Sequence, residues 1–431
     1  MHSSHSNPSK SWLEHQKPGG FYACLIWGLT AFAFGYAFFH RVAPSVMVAD
    51  LMTEFAIGGA MLGTLSALYF YPYVLLQIPL GALLETIGVR VLLSAALCLA
   101  GLGSVIFSMA DSLALAYLGR ILIGVGSSVG FLGSLALASR WFSPSHYGFL
   151  AGLTMFTGMT SGMIAQAPLA ILVENFGWRN CLLALGFLGM GLAFIVLLLV
   201  RNQPAEQILP DKEIQQKQSF HILLKRAFVS VEVWKIALVA ATLSGPMLAL
   251  GGLWGTPYLM QAYDLPRPQA AFLVSLLLLG WAIGAPSGGW LSDRLGRRKI
   301  ILVCGAALVS LFLAILIFVP SLPLSLAVLM LVLIGMAGSL MTGCFALVRE
   351  VIPKQISGAA TGIINSMTVA SGAVLQPLVG WVLDLQWDGH LRDLAPVYDA
   401  QDYRLAFILI LGSSILGLIA ALSLKEPKNL S

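Results

Sequence analysis

Charged side chains are sparse in this 431-residue chain, only 10% of it, so the few that fall in or beside long apolar runs carry the chemical information. Arg120 lies inside one such run, and His40-Arg41 closes another. A guanidinium is a planar fork of donors that matches a carboxylate or phosphate bidentately. Arg41 and Arg120 are therefore candidates for holding the acidic group of a small solute. Histidine has an ordinary pKa of ~6.5, so His40 is the candidate for carrying a proton. No Asp or Glu falls in the middle of an apolar run; Glu85, Asp293 and Asp384 sit at run ends. Each candidate also has a plainer role open to it. Arg120 could bond backbone carbonyls of neighbouring helices, Arg41 could snorkel to headgroups, and His40 could be an interfacial residue without a coupling role.

Uncharged polar and aromatic residues in the same runs form a second set: Tyr36, Tyr73, Gln166, Trp254, Tyr258, Asn365 and Gln376. They are candidate substrate contacts, with Gln376 and Asn365 ahead of the aromatics. Trp254-Gly255-Thr256-Pro257-Tyr258 predicts a break in its helix, the kind of irregularity tolerated where a helix borders a cavity. An interfacial aromatic belt explains Trp254 and Tyr258 equally well.

These residues need elements to hold them, and the composition says what kind. Hydrophobic residues make up 58% of the chain, against roughly 45–50% in soluble domains. Apolar stretches of about 20 residues read as membrane helices. Twelve are expected, near 21–39, 60–84, 89–109, 112–139, 148–172 and 180–200, then 234–259, 269–291, 299–319, 322–348, 358–384 and 403–423. The expected organisation is an N-terminal tail (1–20), a six-helix bundle (21–200), a linker (201–233), a second six-helix bundle (234–423) and a C-terminal tail (424–431). The polar leader, with Pro8 and Pro18, reads as a cytoplasmic tail and not as a signal peptide. The linker carries an amphipathic piece near 220–228, either an interfacial helix tying the bundles or a short surface helix on a solvated connection.

Of the 24 Lys and Arg, only Arg41, Arg179, Arg267, Arg392 and Arg404 fall on the face opposite the termini, with Arg120 inside the membrane. The positive-inside rule then puts both termini in the cytoplasm. The net charge of +5 is thus a topology signal and gives no reason to expect nucleic acid. The acidic loop Asp384–Asp402 faces outward; its Tyr398 and Tyr403 could gate access, or the loop could be a solvated connection. Cys24, Cys98, Cys181, Cys304 and Cys344 lie in apolar runs without metal-ligand spacing and read as buried thiols.

The two halves repeat. Gly152, Ser161, Gly162 and Gln166 recur as Gly362, Ser371, Gly372 and Gln376, all at one offset of 210. Six spans per repeat give both halves one orientation, and put Gln166 and Gln376 across a pseudo-twofold axis.

A tight basic turn ends the eighth run: Gly289-x3-Asp293-Arg294-x-Gly296-Arg297-Arg298. A weaker copy stands in the first half as Gly81, Glu85, Gly88 and Arg90, with Thr86 where the second copy has Arg294. A turn of this kind once per half resembles the signature of the major facilitator superfamily. Gly119-Arg120-x3-Gly124-x-Gly126 and Gly177-Trp178-Arg179 extend the resemblance over nearly the whole chain. The antiporter pattern of the fifth span is incomplete, with Gly158-x3-Gly162 followed by Met163 where proline is usual. The resemblance implies an all-α integral membrane protein of two pseudo-symmetric six-helix bundles. It also implies that the two turns are conformational latches rather than ligand sites, the first being the weaker. Arg179 reads as an outer-surface anchor.

The stretch from His40 to Ala49 resembles the end of the first helix in the bacterial anion–cation symporter branch, which carries sugar acids and organic anions. That likeness implies that Arg41 meets the substrate's acidic group and that Tyr73, in Tyr-x3-Gln-x-Pro, lines the cavity. Two departures stand out: the acids usual before the first-helix arginine and seven residues past the fourth-helix arginine are here His40 and Ser127.

The expected function is secondary transport of a small carboxylate-bearing solute (sugar acid, amino acid or short peptide) by alternating access, with protons as a candidate partner. An exporter of larger amphipathic compounds, such as drugs or siderophores, and a proton-independent uniporter are the alternatives. A non-transporting sensor on the same fold is a third class. The chain lacks G-x-S-x-G, H-E-x-x-H and Walker patterns, so an enzyme is not expected. Neither cofactor nor metal is called for. The expected partners are an anionic or zwitterionic small molecule and the lipid bilayer. A monomer in a bacterial inner membrane is expected.

Overall fold

The computed structural model describes residues 19–204, 220–392 and 395–425. The two tails lie largely outside the described residues, as does the middle of the linker. Twelve helices among the described residues are long and apolar enough to cross a membrane. In order they are Phe21–Val46, Gly59–Gln77, Val89–Ser108, Leu113–Trp141, Ser145–Phe176, Trp178–Leu199, Val231–Tyr263, Arg267–Ser292, Arg298–Phe318, Leu324–Val351, Gln355–Gln386 and Ala400–Leu422. They are called spans 1 to 12 below. Between spans 6 and 7 the linker forms one helix, Phe220–Val229, which packs against span 11.

Several spans are irregular, and proline accounts for most of this by removing a donor from the helical ladder. In span 1 the α-helix stops at Val42 and a 3₁₀ turn, Ala43–Val46, carries Pro44. In span 2 the helix is interrupted at Leu68 and Tyr69, just before Pro72. Span 5 breaks at Ala165 and Gln166, before Pro168. Span 7 departs differently from the break expected at 254–258: Met247–Trp254 winds as a π-helix, and Gly255–Tyr263 resumes as α-helix. Pro246 and Pro257 flank the wide turns. Such π segments leave carbonyls available to outside donors.

The two halves meet along spans 2 and 11 and along spans 5 and 8. One end of the span 2–span 11 crossing is backbone on backbone. A β-carbon at Gly380 would lie 2.0 Å from the Gly59 carbonyl oxygen, and one at Gly63 would lie 2.5 Å from that of Gln376. Only glycine allows helices to approach so closely. Contact continues along the pair through Phe70 at Gly372, Tyr71 at Ala373 and Asn365 at Gln77. Pro377 cannot donate to the Ala373 carbonyl four residues earlier, and the Tyr71 hydroxyl supplies that bond from the other half at 3.1 Å.

Toward the basic turns the contact ends. Gly81, Gly358 and Gly362 continue the same helix faces, yet a β-carbon at any of them would meet nothing within 4 Å. Gly148, Gly152 and Gly289 on spans 5 and 8 are equally bare. The halves are thus closed on the face opposite the basic turns and splayed on the face that carries them.

Candidate functional site

Arg41 sits where span 1 loses its α-helical winding, near the crossings that join the halves. Its side chain is buried, and its guanidinium lies over four rings: Phe38 at 4.8 Å, Tyr73 at 5.2 Å, Tyr69 at 5.7 Å and Phe70 at 6.0 Å. Cation–π contacts of this kind contribute about 0.5–2 kcal/mol each, but they offer no counter-charge. Arg41 makes no ion pair among the described residues, and its Nε has no hydrogen-bond partner. Two of its enclosing rings are also inter-half contacts. Phe38 packs where a β-carbon at Gly162 would be, beside Leu278 of span 8, and Phe70 packs against Gly372 of span 11.

Arg120 is placed quite differently. Its Nη1 donates to the His40 carbonyl at 3.0 Å, Nη2 to the Ser66 carbonyl at 3.2 Å and Nε to the Leu65 carbonyl at 3.4 Å. The reason is local. Pro44 leaves the His40 carbonyl without a helical donor, and the interruption at Leu68–Tyr69 leaves that of Leu65 without one. Arg120 ties these loose ends together, the plainer of the two roles its sequence position allows.

His40 is fully buried with neither ring nitrogen bonded, and its ring meets Tyr36 edge-on at 4.7 Å. Tyr36 points away from the second half and donates to the Leu185 carbonyl of span 6 at 3.0 Å.

The repeat-related glutamines converge on one element. Gln166 Nε2 donates to the Gly251 carbonyl and Gln376 Nε2 to the Leu248 carbonyl, each at 2.8 Å, both within the π segment of span 7. Gln166 Oε1 accepts from Ser45 and Thr256, each at 3.3 Å, whereas Gln376 Oε1 is buried and unbonded. Asn365, only half-buried, donates to Gln77 Oε1 at 3.1 Å. Trp254 and Tyr258 lie in neither an interfacial belt nor an open cavity. Both are buried against Tyr403 of span 12, Tyr258 also against Phe407, and Trp254 donates to the Gln376 carbonyl at 3.0 Å.

The closed face is fastened by residues that the sequence offered only as span ends or loop. Asp384 accepts from the Gly59 and Ala60 N–H groups at 2.7 and 2.9 Å, a carboxylate at a helix N-terminus. Tyr398 donates to Asp384 and accepts from Gly59. Burial first, and then the Asp384 carboxylate, push the Tyr398 phenol above its ordinary range. Tyr398 and Tyr403 are buried, so this part of the loop is a packed plug and not a solvated connection. Arg267 pairs with Asp50 at 2.7 Å across the halves. Arg179 anchors within the first half, pairing with Glu54 at 2.7 Å and donating to the Ser108 and Ala110 carbonyls. Asp50, Glu54, Trp178, Arg267 and Tyr398 line a 580 Å³ vestibule on this face.

At the splayed face the basic turns make contacts within their own halves. Gly88 and Gly296 take positive φ, as tight turns require. Arg90 holds Asn202 and the Leu197 carbonyl; Arg298 pairs with Glu350 at 3.1 Å and bonds Ser292; Arg294 lies over Trp290. The Asp293 side chain is outside the described set. Of the cysteines, only Cys181 and Cys344 are buried; Cys24, Cys98 and Cys304 point outward from the helices, which corrects the expectation of five buried thiols.

Twelve spans with polar side chains gathered where the halves cross define a multi-pass integral membrane protein of the transporter class. A family model described as Major Facilitator Superfamily matches residues 26–256 and again 247–431, and the chain belongs to that superfamily, a transporter family and not an enzyme one. Curated relatives include the uncharacterized transporter YybO of Bacillus subtilis (strain 168), 26% identical over 59% of this chain. The sulfoacetate transporter SauU of Cupriavidus necator, so named as probable, is 23% identical over 64% of this chain. The matches span 62% and 66% of those two relatives' lengths. An Escherichia coli (strain K12) protein named as a probable L-galactonate transporter is 23% identical over 83% of this chain and 82% of its own. Among solved structures, a bacterial homologue of the human lysosomal transporter Spinster, inward-facing and unoccupied, superposes with a TM-score of 0.76. At 15% identity over 93% of this chain and 97% of that one, the likeness shows the fold alone.

Proposed function

We propose that the protein is a secondary transporter of a small organic anion, a sugar acid or similar carboxylate, and that Arg41 receives the acidic group. One observation carries this reading: a buried guanidinium at the junction of the halves, enclosed by aromatic rings and without a carboxylate partner. An isolated buried charge is costly unless paired, so the site is completed by an anion from outside. The names of relatives that handle sulfoacetate and L-galactonate point the same way. Tyr73 and Tyr69 would flank the bound group, and Asn365 with Gln77 would border the open side. Gln166 and Gln376 would shape the site through span 7 and not by contact.

The excess of Lys and Arg near the basic turns supports a cytoplasmic placement of that face and of both termini, in a bacterial inner membrane. The conformation is then inward-open, with Asp384, Tyr398 and the Arg267–Asp50 pair sealing the outside. Alternating access would break these contacts and bring the basic turns back against the other half.

Uptake in proteoliposomes tests the choice. Labelled L-galactonate and sulfoacetate should enter in a protein-dependent way, and the neutral amide of L-galactonate should not compete. Competition by apolar amphiphiles alone would move the assignment to the exporter.

A further inference from the structure

The linker helix Phe220–Val229 presents two unlike faces. Ala227 is fully buried and Leu224, three residues before it, is half-buried, and the helix packs against span 11. Lys225, Phe228 and Val229 share another face at helical spacings of three and four residues. All three are exposed, Phe228 at 56% and Val229 at 72%, and Arg226 is exposed beside them. Covalent connection fixes where this face lies. A single residue, Ser230, separates the helix from span 7. Trp234, in the first turn of that span, donates Nε1 to the Phe228 carbonyl at 2.6 Å and meets the Phe228 ring edge-on at 5.1 Å. Tryptophan favours the boundary between lipid and water. Phe228 and Val229, with Val231 also exposed, therefore lie close to the hydrocarbon edge on the side of the basic turns. The charge there is one-sided. Lys225 and Arg226 make no hydrogen bond or ion pair among the described residues, while Lys235 and Lys425 share one acid, Glu232, each at 3.4 Å. Four cations thus stand against one carboxylate around the start of span 7.

We propose that the linker helix is a docking surface for anionic phospholipid in the leaflet on that side. Phe228 and Val229 enter the acyl boundary, and Lys225 and Arg226 meet the phosphate headgroups. Exposed aromatic and aliphatic side chains beside unpaired cations fit a partner that is apolar below and anionic above. Water would leave the apolar part unfavourably hydrated, and an acidic protein could reach it only by displacing the headgroups. Lysine and arginine stems are long enough to run along the apolar layer with their charges above it. Each cation near an anionic leaflet favours contact on the order of fivefold at physiological salt. The two free cations therefore give the helix a preference for anionic over zwitterionic lipid that its apolar side chains alone lack. This contact does not depend on which solute the protein carries.

The test is spin-label resonance on the full chain in nanodiscs, which leave both faces open to solution. A nitroxide on Val229→Cys, in a background lacking the native cysteines, reports collisions with two reagents. Oxygen partitions into lipid, and a neutral nickel chelate stays in water. In phosphatidylcholine with about one third phosphatidylglycerol, the oxygen-to-nickel collision ratio should be about threefold higher than in phosphatidylcholine alone. High salt should remove most of that difference. Lys225→Gln with Arg226→Gln should erase it, and Lys225→Arg with Arg226→Lys should keep it. Equal ratios in the two lipids would overturn recognition of anionic headgroups, as would a lipid dependence that survives the double glutamine variant. Few collisions with either reagent would mean that protein covers this face, and would overturn the proposal outright.

Discussion

Gln166 and Gln376, 210 positions apart in the repeat, donate to carbonyls three residues apart on one π-helical turn of span 7. The internal duplication thus supplies two matched donors, one from each half, for a single irregular element. Because Gln166 also accepts from Ser45 and Thr256, it links the end of span 1, which bears Arg41, to span 7. A change at Arg41 has a short physical route to the second half.

Removing one of these donors should orphan a buried carbonyl, at a cost of about 1–3 kcal/mol. Gln166→Leu is expected to lower the melting temperature of the purified protein and to slow transport more than Gln376→Leu. It severs three bonds where Gln376→Leu severs one. Equal effects of the two substitutions would argue that the link to span 1 has no role.

The outer seal makes a second prediction. Asp384→Asn removes the charge at the span 2 N-terminus, where a carboxylate contributes roughly 0.3–2 kcal/mol. The population should shift toward the outward-open state. Thiol labelling of Met260→Cys in the vestibule, on a background lacking the native cysteines, should then accelerate from the outer side. Unchanged labelling would separate this contact from gating.

Tyr398 fixes the pH range over which the seal holds. Its phenol is raised above the ordinary value near 10, so the closed state keeps a proton that the open state loses. The stabilisation is fully present below about pH 10 and declines as pH rises beyond it. Vestibule labelling of Met260→Cys with Tyr398 intact, divided at each pH by the labelling of the same thiol in the unfolded protein, should therefore be flat between about pH 6 and 9 on this group's account. Adding Tyr398→Phe should raise the normalised labelling throughout that range, and a transition near neutrality with Tyr398 intact would show that another group controls closure.

Arg120 and His40 separate architecture from transport. Arg120→Gln leaves the His40 and Leu65 carbonyls short of donors, about 1–3 kcal/mol for each one orphaned, while that of Ser66 keeps the Tyr69 N–H. The expected result is loss of folded protein and not a raised KM in what survives. His40→Gln should fold, bind and transport with its pH response unchanged, since neither ring nitrogen has a partner to relay a proton to. A flattened pH profile in that variant would restore His40 as a coupling group.

Much of this fold is written in the hydropathy pattern, since spans of ~20 apolar residues admit few solutions in lipid. The duplication is visible because Gln166 and Gln376 stand in like company in two otherwise diverging helices. Span 7 was harder to read: Trp254–Tyr258 carries the proline and glycine that suggest a break, while the irregular winding runs through apolar residues 247–254. The Arg41 cage was partly legible, through Tyr73. Phe38, three residues before Arg41, and Tyr69, four before Tyr73, follow helical spacing that could have found them. The Asp384–Gly59 seal joins residues 325 positions apart and depends on a helix crossing that no local pattern encodes.

Binding at Arg41 is the most direct test of the whole assignment. Isothermal titration of the detergent-purified protein would compare L-galactonate and sulfoacetate with the neutral amide of L-galactonate, in wild type, Arg41→Lys and Arg41→Gln. The predicted result is binding of the anions only. Affinity should fall on the order of tenfold in Arg41→Lys, which keeps the charge but loses the fork, and beyond detection in Arg41→Gln. Undiminished anion binding in a folded Arg41→Gln protein would contradict the assignment.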